Sequence, residues 1–180
     1  MEKFVGACRI CACHKSFPSR VSAKPIVSRG FLDRLQIDLI CMSHIPDKDF
    51  KYICHVRDHF SRFSWARALA SKRASEVALY LFEIFTTFGP PLILHSDNGK
   101  EFVADVIFEL LKLWPEIKVV NGRPRHPQSQ GCVERGNKIL EEHLAKWMAT
   151  NKNASWSMGL PLVVCKYYVI FSAYMFFYVL

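Results

Sequence analysis

The pattern of polar and apolar positions along the chain first changes its period after the segment SRFSWARAL. Before that point, apolar residues alternate with polar ones in LQIDLICM, in FKYICHVRD and in SRFSWARAL, which begin at Leu35, Phe50 and Ser61. A period of two is typical of β-strands. The links between the three segments are short, so we expect an antiparallel three-strand meander.

From Ala74 the apolar residues recur at steps of three and four, as on one face of a helix. The members of this stripe are Ala74, Val77, Ala78, Leu81, Phe82, Phe85 and Phe88, and Gly89 and two prolines follow it. Further along, the pattern predicts a strand in PLILHSD, a helix over Ala104–Trp114, a strand over Ile117–Val120 and a long helix over Cys132–Ala149. The predicted order is βββαβαβα, an α/β fold with a mixed five-stranded sheet flanked by helices.

The ends of the chain lack this periodicity, and the sequence divides into three parts. Residues 1–30 form a basic N-terminal extension, residues 31–161 a folded core, and residues 162–180 an atypical hydrophobic tail. Within the core, Asn121–Gln130 is polar and broken by prolines, so we expect a mobile loop there.

Charge separates the extension from the core. The formal net charge is +8, and residues 1–30 contribute +5 of it through six Lys or Arg residues and one acid. A basic segment attached to a nearly neutral domain favours a polyanionic partner, with nucleic acid preferred over a membrane. A solvated tail explains the charge about equally well.

Cysteine usage and hydropathy indicate the compartment. Seven cysteines form an odd set, and the start of the chain has no apolar run long enough for a signal peptide, so we expect a reducing compartment. The tail LVVCKYYVIFSAYMFFYVL approaches a membrane span in length, but only 14 residues follow Lys166. We do not expect a membrane anchor.

Three acids stand at positions that suggest chemistry. Asp38 lies in the first predicted strand, Asp97 at the end of the fourth, and Glu134 in the first turns of the long helix. A carboxylate in an apolar strand costs several kcal/mol to desolvate unless it is paired or binds a metal. Taken singly, each acid has an ordinary explanation: a backbone hydrogen bond, a turn, or complementarity to the helix dipole.

If the three carboxylates converge, a divalent cation would relieve their repulsion. Oxygen ligands with no His or Cys in register favour Mg²⁺ or Mn²⁺ over zinc. Two such ions support in-line phosphoryl displacement, so the sequence predicts phosphodiester cleavage or transfer.

Basic and amide side chains near the long helix fit a DNA substrate. The candidates are Arg123, Arg125, His126, Gln128, Arg135 and Lys138, with the helix N-terminal amides near Gly131 as a further anion-binding end.

The joint order of these motifs resembles the catalytic core of retroviral and Ty3/gypsy-type retrotransposon integrases, in the ribonuclease H-like superfamily. The matching segments are QIDLI, RDHFSRFSWARAL, FGPP, HSDNGKEF and HPQSQGCVERGNKIL. Between Asp97 and Glu134 lie 36 residues, one more than is typical of the family. The resemblance implies Asp38, Asp97 and Glu134 as catalytic residues and metal ligands of a DDE triad. It also implies Asn98, Gly99 and Phe102 as support for Asp97.

The resemblance further implies DNA integration by 3′-end processing and strand transfer, Mg²⁺ or Mn²⁺ as cofactor, DNA as partner and a homo-oligomer. No small-molecule substrate is expected. The implied compartment is the nucleus, alone or together with the cytoplasm.

Both ends depart from the family pattern. Cys8 and Cys11 resemble the closing cysteines of the integrase zinc module, but no histidine precedes them, so we do not expect bound zinc. The tail lacks the polar character of a last integrase helix, which suggests an altered reading frame, intron read-through or a degenerate copy. Two alternatives therefore stay open: a catalytically inactive, integrase-derived nucleic-acid-binding protein, and a general ribonuclease H-like nuclease.

Overall fold

The computed structural model describes residues 28–96, 105–121, 127–152 and 155–166. Its strands are β1 (Arg34–Cys41), β2 (Tyr52–Asp58), β3 (Ser64–Leu69), β4 (Ile93–Ser96) and β5 (Lys118–Asn121). Its helices are α1 (Ala74–Phe88), α2 (Asp105–Leu111), α3 (Pro127–Asn151) and α4 (residues 156–166). The order up to α3 is the one that the sequence pattern predicts.

The five strands form one mixed sheet in the order β3-β2-β1-β4-β5. The pairs β1 with β2 and β2 with β3 are antiparallel, as expected of the meander. Strand β4 is parallel to β1 on one side and to β5 on the other. This mixed α/β sheet with flanking helices is the predicted ribonuclease H-like arrangement, and it makes β1 the central strand.

Apolar residues cover both faces of the sheet. On one face, α1 and α2 enclose a cluster that includes Leu35, Val56, Leu81 and Phe85. Helix α1 ends where Gly89 adopts a φ of 101°, a left-handed conformation that glycine reaches without strain, and its N–H bonds to the carbonyl of Phe85 at 3.0 Å.

On the other face, α3 and α4 pack over β1 and β2. The cluster there contains Leu140, Leu144, Trp156, Leu160 and Val163, and Trp156 is fully buried. Helix α4 crosses the predicted boundary between core and tail at residues 161 and 162, and Val163 is buried against the core. Among the described residues no helix is both long and apolar enough to cross a bilayer.

Two local expectations are wrong. Residues 127–130, assigned to a mobile loop, lie in α3, which begins at Pro127. Proline is favoured at the first position of a helix because its missing N–H would have no partner there. The N-terminal amides of α3 therefore lie near Pro127 rather than near Gly131.

Candidate active site

Asp38 is held in the middle of the polar face of β1. Its Oδ1 accepts a hydrogen bond from the backbone N–H of Leu39 at 2.8 Å. Its Oδ2 accepts one from Nδ2 of Asn137, on α3, at 2.5 Å. The partner that a carboxylate in an apolar strand requires is thus supplied by a residue 99 positions away.

A buried histidine completes this contact. Asp38 pairs with His55 across the β1–β2 ladder, and Nδ1 of His55 lies 2.6 Å from Oδ1 of Asn137. An amide oxygen only accepts, so Nδ1 of His55 is the donor. Burial lowers the pKa of His55 to about 4, the hydrogen bond to Asn137 opposes that shift, and Arg57 adds to it. His55 is therefore neutral near pH 7. Its pairing with Asp38 also corrects the expectation that no histidine lies in register with the predicted acids.

The described strands and helices extend up to the positions of the other two predicted acids. In the parallel ladder Ile37 pairs with Ser96, and Asp97 is the next residue in the chain but lies outside the described residues. Glu134 precedes Asn137 by three residues within α3, so the two positions lie on the same side of the helix, although the side chain of Glu134 is not described. Strands β1 and β4 are adjacent, as a convergence of Asp38 and Asp97 would require.

A second polar group lies one step along the same sheet face. Nε2 of His59 lies 2.7 Å from Oε1 of Gln36, and Gln36 pairs with His95 in the parallel ladder. The rings of His59 and His95 are 6.5 Å apart. Burial lowers the pKa of His59 to about 4 and also lowers that of His95, and the positive charge of Arg34 adds to both shifts. Both rings are therefore neutral at pH 7.

Arg57 fills the space between β2 and α3. It is buried, its Nε has no hydrogen-bond partner, and its guanidinium lies against the backbone of Gly136. A Cβ at position 136 would overlap Nη1 of Arg57. The small cavity beside them is lined by His55, Ser64 and His143 among others. Gly136 therefore allows α3 to approach the sheet closely enough for Asn137 to reach Asp38.

The predicted DNA contacts are only partly described. Arg135 and Lys138 are exposed on α3. Gln128 lies in α3, but its side chain is not described, and Arg123, Arg125 and His126 lie outside the described residues. The predicted support residues of Asp97, at positions 98, 99 and 102, lie outside them too.

The possible zinc ligands Cys8 and Cys11 also lie outside the described residues. Within the part of the chain that the structure describes, no group of three His, Cys, Asp or Glu side chains could hold a metal ion. The side chains of Asp97 and Glu134 are not described, so this statement covers only Asp38 among the three predicted acids.

Sequence reasoning missed Asn137 and His55. A signal was available for each: Asn137 follows Glu134 by one helical turn, and His55 interrupts the apolar run of YICHV. Neither signal indicates that the two residues meet, because that depends on how α3 lies across β2.

Comparison with known families matches residues 32–127 to the integrase core domain. Human KRAB-A domain-containing protein 2 is 34% identical over 158 residues, which are 87% of this chain and 32% of the human protein. The Pol polyprotein of equine infectious anemia virus (strain Wyoming) is 34% identical over 117 residues, which are 65% of this chain and 10% of the polyprotein. The chain thus spans less than two thirds of the length of either relative.

Two solved structures are similar in fold. The catalytic core domain of BIV integrase has a TM-score of 0.60 at 28% identity, and the match covers 73% of this chain and 80% of the BIV chain. A simian T-cell lymphotropic virus intasome in complex with PP2A regulatory subunit B56 gamma has a TM-score of 0.70 at 23% identity. This match covers 91% of the present chain and 58% of the matched chain.

Proposed function

The chain belongs to the integrase core domain family and has a core of the retroviral type, and we propose that it is an integrase-type polynucleotidyl transferase acting on DNA. The observation that carries the proposal is the hydrogen bond from Asn137 to Asp38. It fixes the segment of α3 that contains Glu134 against β1. The parallel neighbour β4 ends at Ser96, directly before Asp97. This arrangement supports Asp38, Asp97 and Glu134 as a DDE triad.

Asp38 fits the role of a metal ligand. Its carboxylate accepts hydrogen bonds from the backbone N–H of Leu39 and from Asn137. A carboxylate oxygen has two lone pairs, so an oxygen that accepts a hydrogen bond can also bind a cation. Asp38, Asp97 and Glu134 are an all-oxygen donor set, which suits Mg²⁺ or Mn²⁺. Bound ions of this kind would stabilise charge on the attacking and leaving oxygens of a phosphoryl transfer.

The proposed reaction has two displacements at phosphorus. In end processing, the oxygen of a water molecule forms a bond to phosphorus as the bond to a 3′-oxygen breaks, which leaves a free 3′-hydroxyl. In strand transfer, that hydroxyl attacks a phosphodiester of the target DNA, and the target's own 3′-oxygen leaves. The hydrogen bond from Asn137 would hold the carboxylate of Asp38 in position for both displacements.

DNA is the proposed partner, and the exposed side chains of Arg135 and Lys138 support it. They lie three residues apart on α3, the same helix that contains Asn137. Cations in this position would contact phosphates and orient the duplex without reading its sequence. The predicted residues Arg123, Arg125, His126 and Gln128 belong to the same proposed contact.

A homo-oligomer and a nuclear location are also proposed. Leu79 and Phe82 on α1 and Phe108 on α2 are large apolar side chains that remain exposed, and exposed apolar side chains on packed helices support association. Light scattering of the purified chain tests the oligomer: Leu79→Glu should shift it toward a monomer, and a wild-type chain that stays monomeric at high concentration would rule it out. Imaging of the tagged full-length protein tests the location.

Strand transfer on DNA tests the activity. The purified chain is incubated with Mg²⁺ or Mn²⁺ and a branched disintegration substrate, beside Asp38→Asn and Asp97→Asn as matched controls. We expect product from the wild type and at least about a 100-fold loss in both variants, with DNA affinity within a factor of about three. Equal activity in wild type and variants would contradict the proposal.

A second function is favoured by one comparison. The relative that covers 87% of this chain is named for a KRAB-A domain rather than as an integrase. The alternative is therefore an inactive, integrase-derived nucleic-acid-binding protein. Salt-sensitive DNA binding by the wild type together with no strand transfer under any metal condition would establish this alternative.

A further inference from the structure

We propose that His55 is a positioning residue that fixes the side-chain amide of Asn137 in the orientation that Asp38 requires. The inference rests on the proposed function, since the orientation of Asp38 affects catalysis only if Asp38 belongs to the active site. The contact itself does not depend on activity. Its existence can therefore be tested even in a chain that is inactive.

The first step concerns the amide of Asn137, which has two chemically different ends. Its Nδ2 donates to Oδ2 of Asp38 at 2.5 Å, and its Oδ1 accepts from Nδ1 of His55 at 2.6 Å. An ionised carboxylate only accepts hydrogen bonds. A 180° rotation of the amide would bring two acceptors together at Asp38. It would also bring two donors together at His55 while the ring proton of His55 stays on Nδ1. Both contacts favour the same orientation.

The second step concerns which partner imposes the orientation. His55 is 2% exposed and lies on β2, which is paired with β1 on one side and β3 on the other. Asp38 also lies in a strand of this sheet and on the same face, but it is only partly buried, so the ring of His55 is the more completely enclosed of the two. Without the donor of His55, Oδ1 of Asn137 would lose its partner in a partly buried place, at a cost of about 1 kcal/mol. The amide could then rotate or turn toward water.

The third step concerns the consequence for Asp38. The donor from Asn137 and the backbone N–H of Leu39 occupy one lone pair on each carboxylate oxygen. The plane of the carboxylate, and with it the directions in which its oxygens can bind a cation, is fixed only while both donors stay in place. Residues that orient a ligand in this way typically change metal affinity or activity by about 10–100-fold when they are removed.

The test compares three substitutions at position 55. An asparagine carries its amide nitrogen near the place of Nδ1 of histidine, whereas a glutamine carries it near the place of Nε2. His55→Asn should therefore retain the donor to Asn137, and His55→Gln and His55→Leu should lose it. The matched control is His59→Leu, which removes a buried neutral histidine that bonds to Gln36 and not to Asn137.

The first readout is the NMR signal of the Asn137 side-chain NH₂ group, which is assigned by its absence in Asn137→Ala and is recorded without metal. In the wild type, His55→Asn and His59→Leu we expect two well-separated proton signals that exchange slowly with solvent. In His55→Gln and His55→Leu the signals should move together and exchange at least about tenfold faster. Unchanged Asn137 signals in His55→Gln would overturn the proposal, whatever the activity.

The second readout is strand transfer. We expect His55→Gln to lower kcat about tenfold at an unchanged KM for DNA, and to raise the Mn²⁺ concentration for half-maximal rate by a similar factor. His55→Asn should restore most of the rate. If His55→Leu does not fold, the Asn and Gln pair still decides the outcome, and equal loss in both would overturn the proposal. An inactive wild type with the expected NMR pattern would refute the proposed function and leave the positioning role intact.

Discussion

Asp47, in the turn between β1 and β2, caps helix α4 at Ser157, a residue 110 positions further along the chain. Its Oδ2 accepts a hydrogen bond from the backbone N–H of Ser157 at 2.8 Å, and the hydroxyl of Ser155 lies 2.9 Å from the same oxygen. Nε1 of Trp156 donates to the carbonyl of Ile45, in the same turn, at 2.7 Å. One short turn therefore secures the start of the last described helix.

The capping contact predicts a specific loss of stability in acid. Burial disfavours the charged form of Asp47, but hydrogen bonds from Ser157 and Ser155 outweigh it, and the pKa of Asp47 is lowered below its usual range. A lowered pKa in the folded state stabilises the protein above the pKa of the unfolded state, and this contribution disappears as the pH falls through the folded-state pKa.

We expect Asp47→Asn to lower the free energy of unfolding at pH 7 by about 1–2 kcal/mol and to flatten its decline below about pH 4. Urea unfolding at a series of pH values measures both effects. The control is Asp49→Asn, which removes an exposed acid from the same turn. If the free energy of unfolding falls as steeply below about pH 4 in Asp47→Asn as in the wild type, the prediction is wrong.

Gly136 and Arg57 should be energetically coupled. A Cβ at position 136 would overlap Nη1 of Arg57 and lie 3.2 Å from its Cδ, and the arginine is buried. We expect Gly136→Ala to lower the free energy of unfolding by about 1–3 kcal/mol because Arg57 or α3 must move.

In an Arg57→Ala background the same substitution should be neutral or stabilising by up to about 1 kcal/mol, since alanine favours helix over glycine. A double-mutant cycle by urea unfolding measures the coupling. Additive effects would show that the close contact has no energetic consequence.

Gly159 should be needed for α4 to pack on α3. A Cβ at this position would lie 2.6 Å from Cζ3 and 2.7 Å from Cδ2 of Trp147. The ring of Trp147 can yield only by leaving its packed rotamer or by moving a helix. Gly159→Ala should therefore lower the free energy of unfolding by about 1–3 kcal/mol and Tm by several degrees. Gly30→Ala is the matched control, because no atom lies within 4 Å of the added Cβ. Equal melting temperatures for the two variants would refute the packing argument.

The described cysteines should differ in reactivity. Cys54 is fully buried, and burial raises the pKa of its thiol, followed in effect by the charge of Asp38. Cys41 is exposed, and a hydrogen bond to Ser43 lowers the pKa of its thiol. The thiolate is the reactive form.

Maleimide labelling of the native protein should therefore modify Cys41 at least about 100-fold faster than Cys54, which reacts only through unfolding. Mass spectrometry of the labelled peptides gives the two rates. In denaturant the difference should disappear, and a Cys54 that labels rapidly in native buffer would be inconsistent with this core.

Local pattern determined much of the fold because the meander and α1 are set by short-range periodicity. The alternation in LQIDLICM and the stripe from Ala74 to Phe88 correspond to β1 and α1 within a residue or two at the boundaries. The predicted start of α3 differs from the observed one because polar residues and prolines are common both in loops and in first helical turns. Only the path of the backbone distinguishes a loop from a first helical turn here.

The sequence by itself determined the order of the elements, the mixed sheet and the need of Asp38 for a partner, since burying a carboxylate in an apolar strand has a cost that any fold must meet. Only the tertiary structure decided which residue meets it. Asn137 is 99 positions from Asp38 and is oriented by His55, on a third element. Such contacts arise from the way α3 packs across β1 and β2, a long-range geometry that no local periodicity encodes.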